Sequence, residues 1–154
     1  GGSSGGGAGI TITGGDVTAN GGKGFGDGGS GAGIGGGGGE YRNGTPAGNG
    51  MYITISGGNV KAYGGTSTYN PPAAGIGGGN NHRYTSNKTN GYGRYITFIK
   101  TDASLSVTVT GTGAEGYGVG CGGYCGPDYK NDSGFDALDI RFIGTTADEL
   151  LQKS

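Results

Sequence analysis

Apolar and polar residues alternate along this chain in short bursts, each bounded by glycine. Ile10–Thr13, Ile53–Ser56 and Leu105–Thr110 carry the period of two that marks a half-buried strand. A second set, Val17–Ala19 and Val60–Ala62, repeats the alternation just downstream. A third piece reads Ala-Gly-Ile-Gly, at Ala32–Gly35 and Ala74–Gly77. Successive side chains of a strand point to opposite faces. Ile10, Ile12, Val17, Ala19 and Ile34 therefore fall on one side, and Thr11 and Thr18 on the other.

These pieces recur as a unit. Ile10–Gly22 aligns without a gap on Ile53–Gly65, 43 residues on, and Ala32–Gly37 on Ala74–Gly79, 42 residues on. A third copy is worn: Tyr52–Ile55 matches Tyr95–Phe98 and Gly75–Gly79 matches Gly118–Gly122, both at a spacing of 43. Between them Val60, Ala62 and Gly64 match Val107, Val109 and Gly111 at a spacing of 47. That implies four residues inserted early in the copy and four removed from the following loop. Ile140–Phe142 reads as the first strand of a fourth.

Such a pattern predicts an all-β parallel β-helix, or solenoid, in one domain over 1–154. Its repeats run over 10–52, 53–95 and 96–137, with a C-terminal cap over 138–154. Stacking would align Ile10 with Ile53 and Ile96, Val17 with Val60 and Val107, and Ile34 with Ile76 and Val119. Gly14-Gly15 and Gly57-Gly58 would turn corners that need positive φ. Lys23–Ser30 with Thr66–Ala73, and Gly38–Gly50 with Asn80–Arg94, would bulge from two corners as variable loops. In the tail, Leu138, Ile140, Phe142 and Ile143 form a last strand. Thr145–Lys153 then reads as a short capped helix or frayed end, covering an edge that would otherwise recruit another chain.

Composition sharpens this picture. Glycine supplies 44 of 154 residues and hydrophobic residues only 31%, so burial must come from narrow apolar stacks. Collagen needs glycine at every third position with abundant proline, and this chain has 4 prolines and no triplet period. The β-branched runs argue against disorder. With 10 basic and 11 acidic residues there is no basic stripe, so nucleic acid is not an expected partner. Nor is membrane insertion, since no apolar run approaches about 20 residues. The opening Gly1-Gly2-Ser3-Ser4 lacks Met and reads as the start of a mature or excised fragment.

The unit Ile53–Gly65 followed by Ala74–Gly79 resembles Gly-rich repeats in large secreted and cell-wall proteins of Gram-positive anaerobes. It is also similar to the β-helical carbohydrate-binding modules of clostridial surface proteins. The likeness covers Ile10 to about Gly122. It implies an extracellular location, a right-handed parallel β-helix and polysaccharide or surface binding, sometimes with calcium. The worn third copy and the cysteine pair depart from the pattern, so no family binding residue transfers individually.

Catalysis is not expected. His82 is the only histidine and lies in a polar loop, whereas a triad or zinc site needs further partners. Glycoside hydrolysis needs two opposed carboxylates, and none recur on one stacked face. Asp128, Asp132, Asp136 and Asp139 are the densest oxygen cluster, making calcium the one cofactor considered, though they lack EF-hand order. Cys121 and Cys125 could close a small disulfide loop in an oxidising compartment.

Tyrosine is the most suggestive functional type. An exposed ring offers a flat apolar face and a hydroxyl, suited to stacking on sugars. Tyr69, Tyr84 and Tyr92, with Asn81, Arg83 and Arg94 beside them, are the candidate ligand-binding residues. The chain is thus expected to be a secreted or surface-displayed, non-catalytic module that binds a polysaccharide or cell-surface glycan. The alternative is a structural spacer or fibre segment that stacks end to end.

Overall fold

The computed structural model describes residues 5–40, 44–68, 70–81, 90–112, 118–123 and 139–153. The first copy supplies β1 (Gly7–Asn20) and β2 (Ile34–Gly35), and the second β3 (Gly50–Tyr63) and β4 (Ile76–Gly77). The third supplies β5 (Gly93–Ile99), β6 (Ser106–Thr110) and β7 (Val119–Gly120). The tail adds β8 (Ile140–Ile143), α1 (Ala147–Leu150) and β9 (Leu151–Lys153).

The protein is mostly β, and its strands pair in parallel. β3 is the hub of a curled six-stranded sheet: β1 lies on one side, and on the other β5 and β6 carry β8 and β9 in turn. β2, β4 and β7 form a separate three-stranded sheet. Parallel neighbours so far apart in sequence are what a stacked repeat produces.

The register follows the apolar pattern. Ile10, Ile53, Ile96 and Ile140 align in one column. Val17, Val60, Val107 and Leu151 align in a second, and Ile34, Ile76 and Val119 in a third. All three columns join one apolar cluster. Ile53, Val60, Ile76, Ile96, Phe98, Val107 and Val119 are fully buried in it. Burying such a side chain contributes about 1.5–3 kcal/mol, so these few columns dominate the stability of a glycine-rich chain. Ile10, Ile12, Val17 and Ala19 are only partly buried, because β1 is the outermost strand and has one neighbour.

The inserted residues appear where the spacing places them. β3 runs through its corner with Gly58 at φ 95°, a backbone region that penalises any Cβ. In the third copy the corresponding corner opens into the segment between β5 and β6. There the Ser104 amide donates to Asp102 Oδ1 at 2.7 Å. The Ser104 hydroxyl, and then its amide, hold the Asp102 carboxyl below its usual range.

The tail supplies the expected last strand, β8, and a short capped helix, and adds a further strand. α1 does start at a threonine: the Thr146 side chain accepts from the Glu149 amide, and the Glu149 carboxylate accepts from the Thr146 amide. The helix ends after four residues, and β9 then pairs with β6. The tail therefore adds a strand to both halves of the sheet, along the edges of β5 and β6. Leu150 and Leu151 are buried in the common cluster.

The roots of the long loops are tied to one another through backbone hydrogen bonds. The Gly37 amide donates to Gly5, Gly48 to Gly37, Gly79 to Gly48, Gly91 to Gly79 and Gly122 to Gly91, all at 2.8–3.0 Å. These distances are ordinary, but a Cβ built on Gly48, Gly79, Gly91 or Gly122 would overlap the backbone of a neighbouring loop, so only glycine fits. The result is a wall of glycine peptides that knits successive loops together.

Candidate ligand groove

The loop after β1 builds a concavity. The Gly24 amide donates to the Thr66 carbonyl at 2.9 Å, tying this loop to its counterpart in the second copy. A tight turn follows, closed by the Gly28 amide on the Phe25 carbonyl at 2.9 Å, with Gly26 at φ 56°. This turn leaves Phe25 82% exposed. Beyond it, Gly28 pairs with Glu40 and Glu40 with Thr45 in antiparallel fashion, and the Gly29 amide donates to Gly39 at 2.8 Å.

Between these segments lies a groove of about 570 Å³. Its lining is largely glycine, including Gly22, Gly24, Gly29, Gly31 and Gly39, whose peptide groups bond mostly to one another and to neighbouring loops. Lys23, Phe25, Asp27 and Glu40 supply its side chains. The Lys23 ammonium stands 5.8 Å from the Phe25 ring centroid, a cation–π arrangement that steadies the exposed ring. Ser30, between two lining glycines, is fully buried and its hydroxyl has no hydrogen-bond partner. Chemically the groove combines one flat apolar face, one ammonium and two carboxylates along a glycine backbone. Such a set can stack an apolar face on the ring and hydrogen-bond to polar groups beside it.

Of the candidate ligand-binding residues singled out from sequence, Asn81, Tyr92 and Arg94 are described. Asn81 is 1% exposed; its side-chain amide donates to the Thr45 carbonyl at 3.1 Å and its backbone amide to Asn90 Oδ1 at 2.9 Å. It locks two loops together inside the wall. Tyr92 is half-buried, and the Arg94 guanidinium lies 5.1 Å from its ring centroid, so these two candidates do meet. The Tyr92 amide donates to Asn49 Oδ1 at 3.0 Å. Tyr69, Arg83 and Tyr84 lie outside the described residues, as do His82, Asp128, Asp132 and Asp136. Among the described residues no three acidic, histidine or cysteine side chains gather as a metal site. Cys121 is buried and is not a free thiol, while Cys125 lies outside the described residues.

Sequence reasoning passed over Phe25 because it weighed tyrosines with Asn and Arg neighbours. The available signal was Lys-Gly-Phe-Gly-Asp at 23–27, a large apolar residue with no apolar partner at strand or helix spacing.

No family model, curated protein or solved structure matches the chain. The likeness to clostridial modules therefore rests on the repeat pattern alone. No helix among the described residues is long and apolar enough to cross a membrane.

Proposed function

We propose that this chain is a non-catalytic carbohydrate-binding module of an extracellular or surface protein, and that the Phe25 groove is a binding site. In this reading the two sheets are walls of a closed β-helix, with variable loops at its corners. The observation that supports it most is Phe25 itself. A lone exposed phenylalanine is ordinary on a protein surface; this one supports the reading because it lines a groove together with Lys23, Asp27 and Glu40.

The test is a pull-down and calorimetric titration with soluble and insoluble polysaccharides, comparing wild type with Phe25→Ala. Retention on at least one glycan is expected, weakened about tenfold by the substitution, which is the scale of one aromatic stacking contact. Wild type retained by no glycan would overturn the reading. Because Asp27 and Glu40 share the groove, release of reducing ends is measured in the same samples, and none is expected.

The spacer reading draws on the partly buried Ile10, Ile12, Val17 and Ala19 of the outermost strand. Concentration-dependent end-to-end assembly without glycan binding would favour it.

An oxidising compartment would also close Cys121 to Cys125. Intact mass after alkylation should show no modified cysteine without reductant and two with it. Two alkylated thiols without reductant would rule the bond out.

A further inference from the structure

A second feature repeats with the layers. The residue immediately before the first isoleucine of each copy has positive φ in all four layers: Gly9 at 72°, Tyr52 at 58°, Tyr95 at 55° and Asp139 at 52°. This region suits glycine and penalises residues that carry a Cβ. Glycine takes it freely in the first layer, yet tyrosine stands there twice. Strain retained where glycine would relieve it points towards function.

The two rings stack with centroids 5.0 Å apart and planes 8° from parallel. They are 58% and 43% exposed, so the pair stands out from the sheet. Asp139 follows Tyr95 at the next level of the column. On the other side the next level belongs to Gly9, which has no side chain, and a Cβ placed there would meet nothing within 4 Å. The tyrosine stack thus ends in an open position one layer deep, over the outer face of Tyr52.

We infer that this position binds one pyranose ring of a glycan, stacked on Tyr52 in place of a third aromatic ring. The surroundings favour a sugar over an aromatic side chain. Gly9 leaves its peptide groups uncovered beside the opening, and the exposed Thr11 follows two residues on in the same strand. A sugar meets the ring with its C–H face and these polar groups with its hydroxyls; an aromatic ring would leave the polar groups unmatched. This inference rests on the carbohydrate reading above but uses a different site from Phe25.

Cellohexaose, xylohexaose, mannohexaose and N-acetylchitohexaose serve as probes. Binding is read by calorimetry, and comparison with the variants isolates this position from the other tyrosines, ten in all in the chain. Tyr52→Gly removes the ring and relieves the positive φ, so the melting temperature should hold or rise while affinity falls about tenfold. Gly9→Asn keeps Tyr52 and covers its open face with a residue that tolerates this backbone; affinity should fall similarly. Unchanged binding in both variants overturns the inference, and if Phe25→Ala alone weakens binding the carbohydrate reading survives without it. Wild type that binds none of the probes overturns both. Calorimetric binding of N-acetyltyrosinamide, lost in Tyr52→Gly, with no binding of any sugar assigns the position to an aromatic partner and overturns the inference as well.

Discussion

Gly77→Ala is expected to lower the melting temperature by at least about 10 °C, as followed by far-UV circular dichroism. Gly77 has φ 134°, and a methyl built on it would overlap the Gly120 carbonyl oxygen of the neighbouring strand. Neither problem has a cheap remedy, because the obstacle is backbone and the same contact recurs between Gly35 and Gly77. Moving the strand apart would break the hydrogen bond from the Gly78 amide to Gly120 at 2.8 Å. A cost on the order of 4 kcal/mol or more follows, and each kcal/mol is worth roughly 2–4 °C in a chain of this size. Gly14→Ala is the control, since its added methyl meets nothing within 4 Å. That variant should melt within a few degrees of wild type. Equal melting of both variants would show that glycine acts here through flexibility and not through close approach.

Phe98→Ala should cost about 3–5 kcal/mol, the usual range for deleting a buried aromatic ring. Phe98 is 0% exposed and occupies the column Ile12–Ile55–Phe98–Phe142, stacked on Phe142 with centroids 5.1 Å apart. Its layer has neighbours on both sides, so the cavity cannot collapse without shifting two strands. Phe142→Ala, in the outermost layer and only partly buried, should cost clearly less. Urea denaturation of the two variants supplies the comparison. A larger loss for Phe142→Ala would mean that the last layer, not the middle of the stack, anchors the fold.

Much of the architecture was legible because alternation reports which side chains share a face. The Ile10, Val17 and Ile34 columns, and even the displaced register of Val107, follow from apolar spacing alone. The last strand was not legible for the converse reason. In β9, Lys153 stands opposite Val109, so Leu151–Lys153 lacks the second apolar residue that would mark a strand. The N-cap signal at Thr146 drew attention to a helix that lasts one turn. Phe25 and Tyr52 were hidden differently. A side chain that faces outward leaves no periodic trace, and positive φ at tyrosine contradicts its ordinary preference. Tyr52 and Tyr95 were visible as aligned letters, but not as a projecting stack with an open end.

The glycine wall has one more consequence, for how such a chain can lengthen. Peptide groups alone carry no address, so along that wall any layer can lie against any other. Each layer's place is written only in its isoleucine and valine columns, which are nearly interchangeable from copy to copy. Duplicating or deleting one whole unit leaves every junction chemically familiar, whereas gain or loss of one residue within the wall would put bare peptides out of step. Growth by complete units is thus the path of least resistance, and individual layers are free to diverge at their loops afterwards.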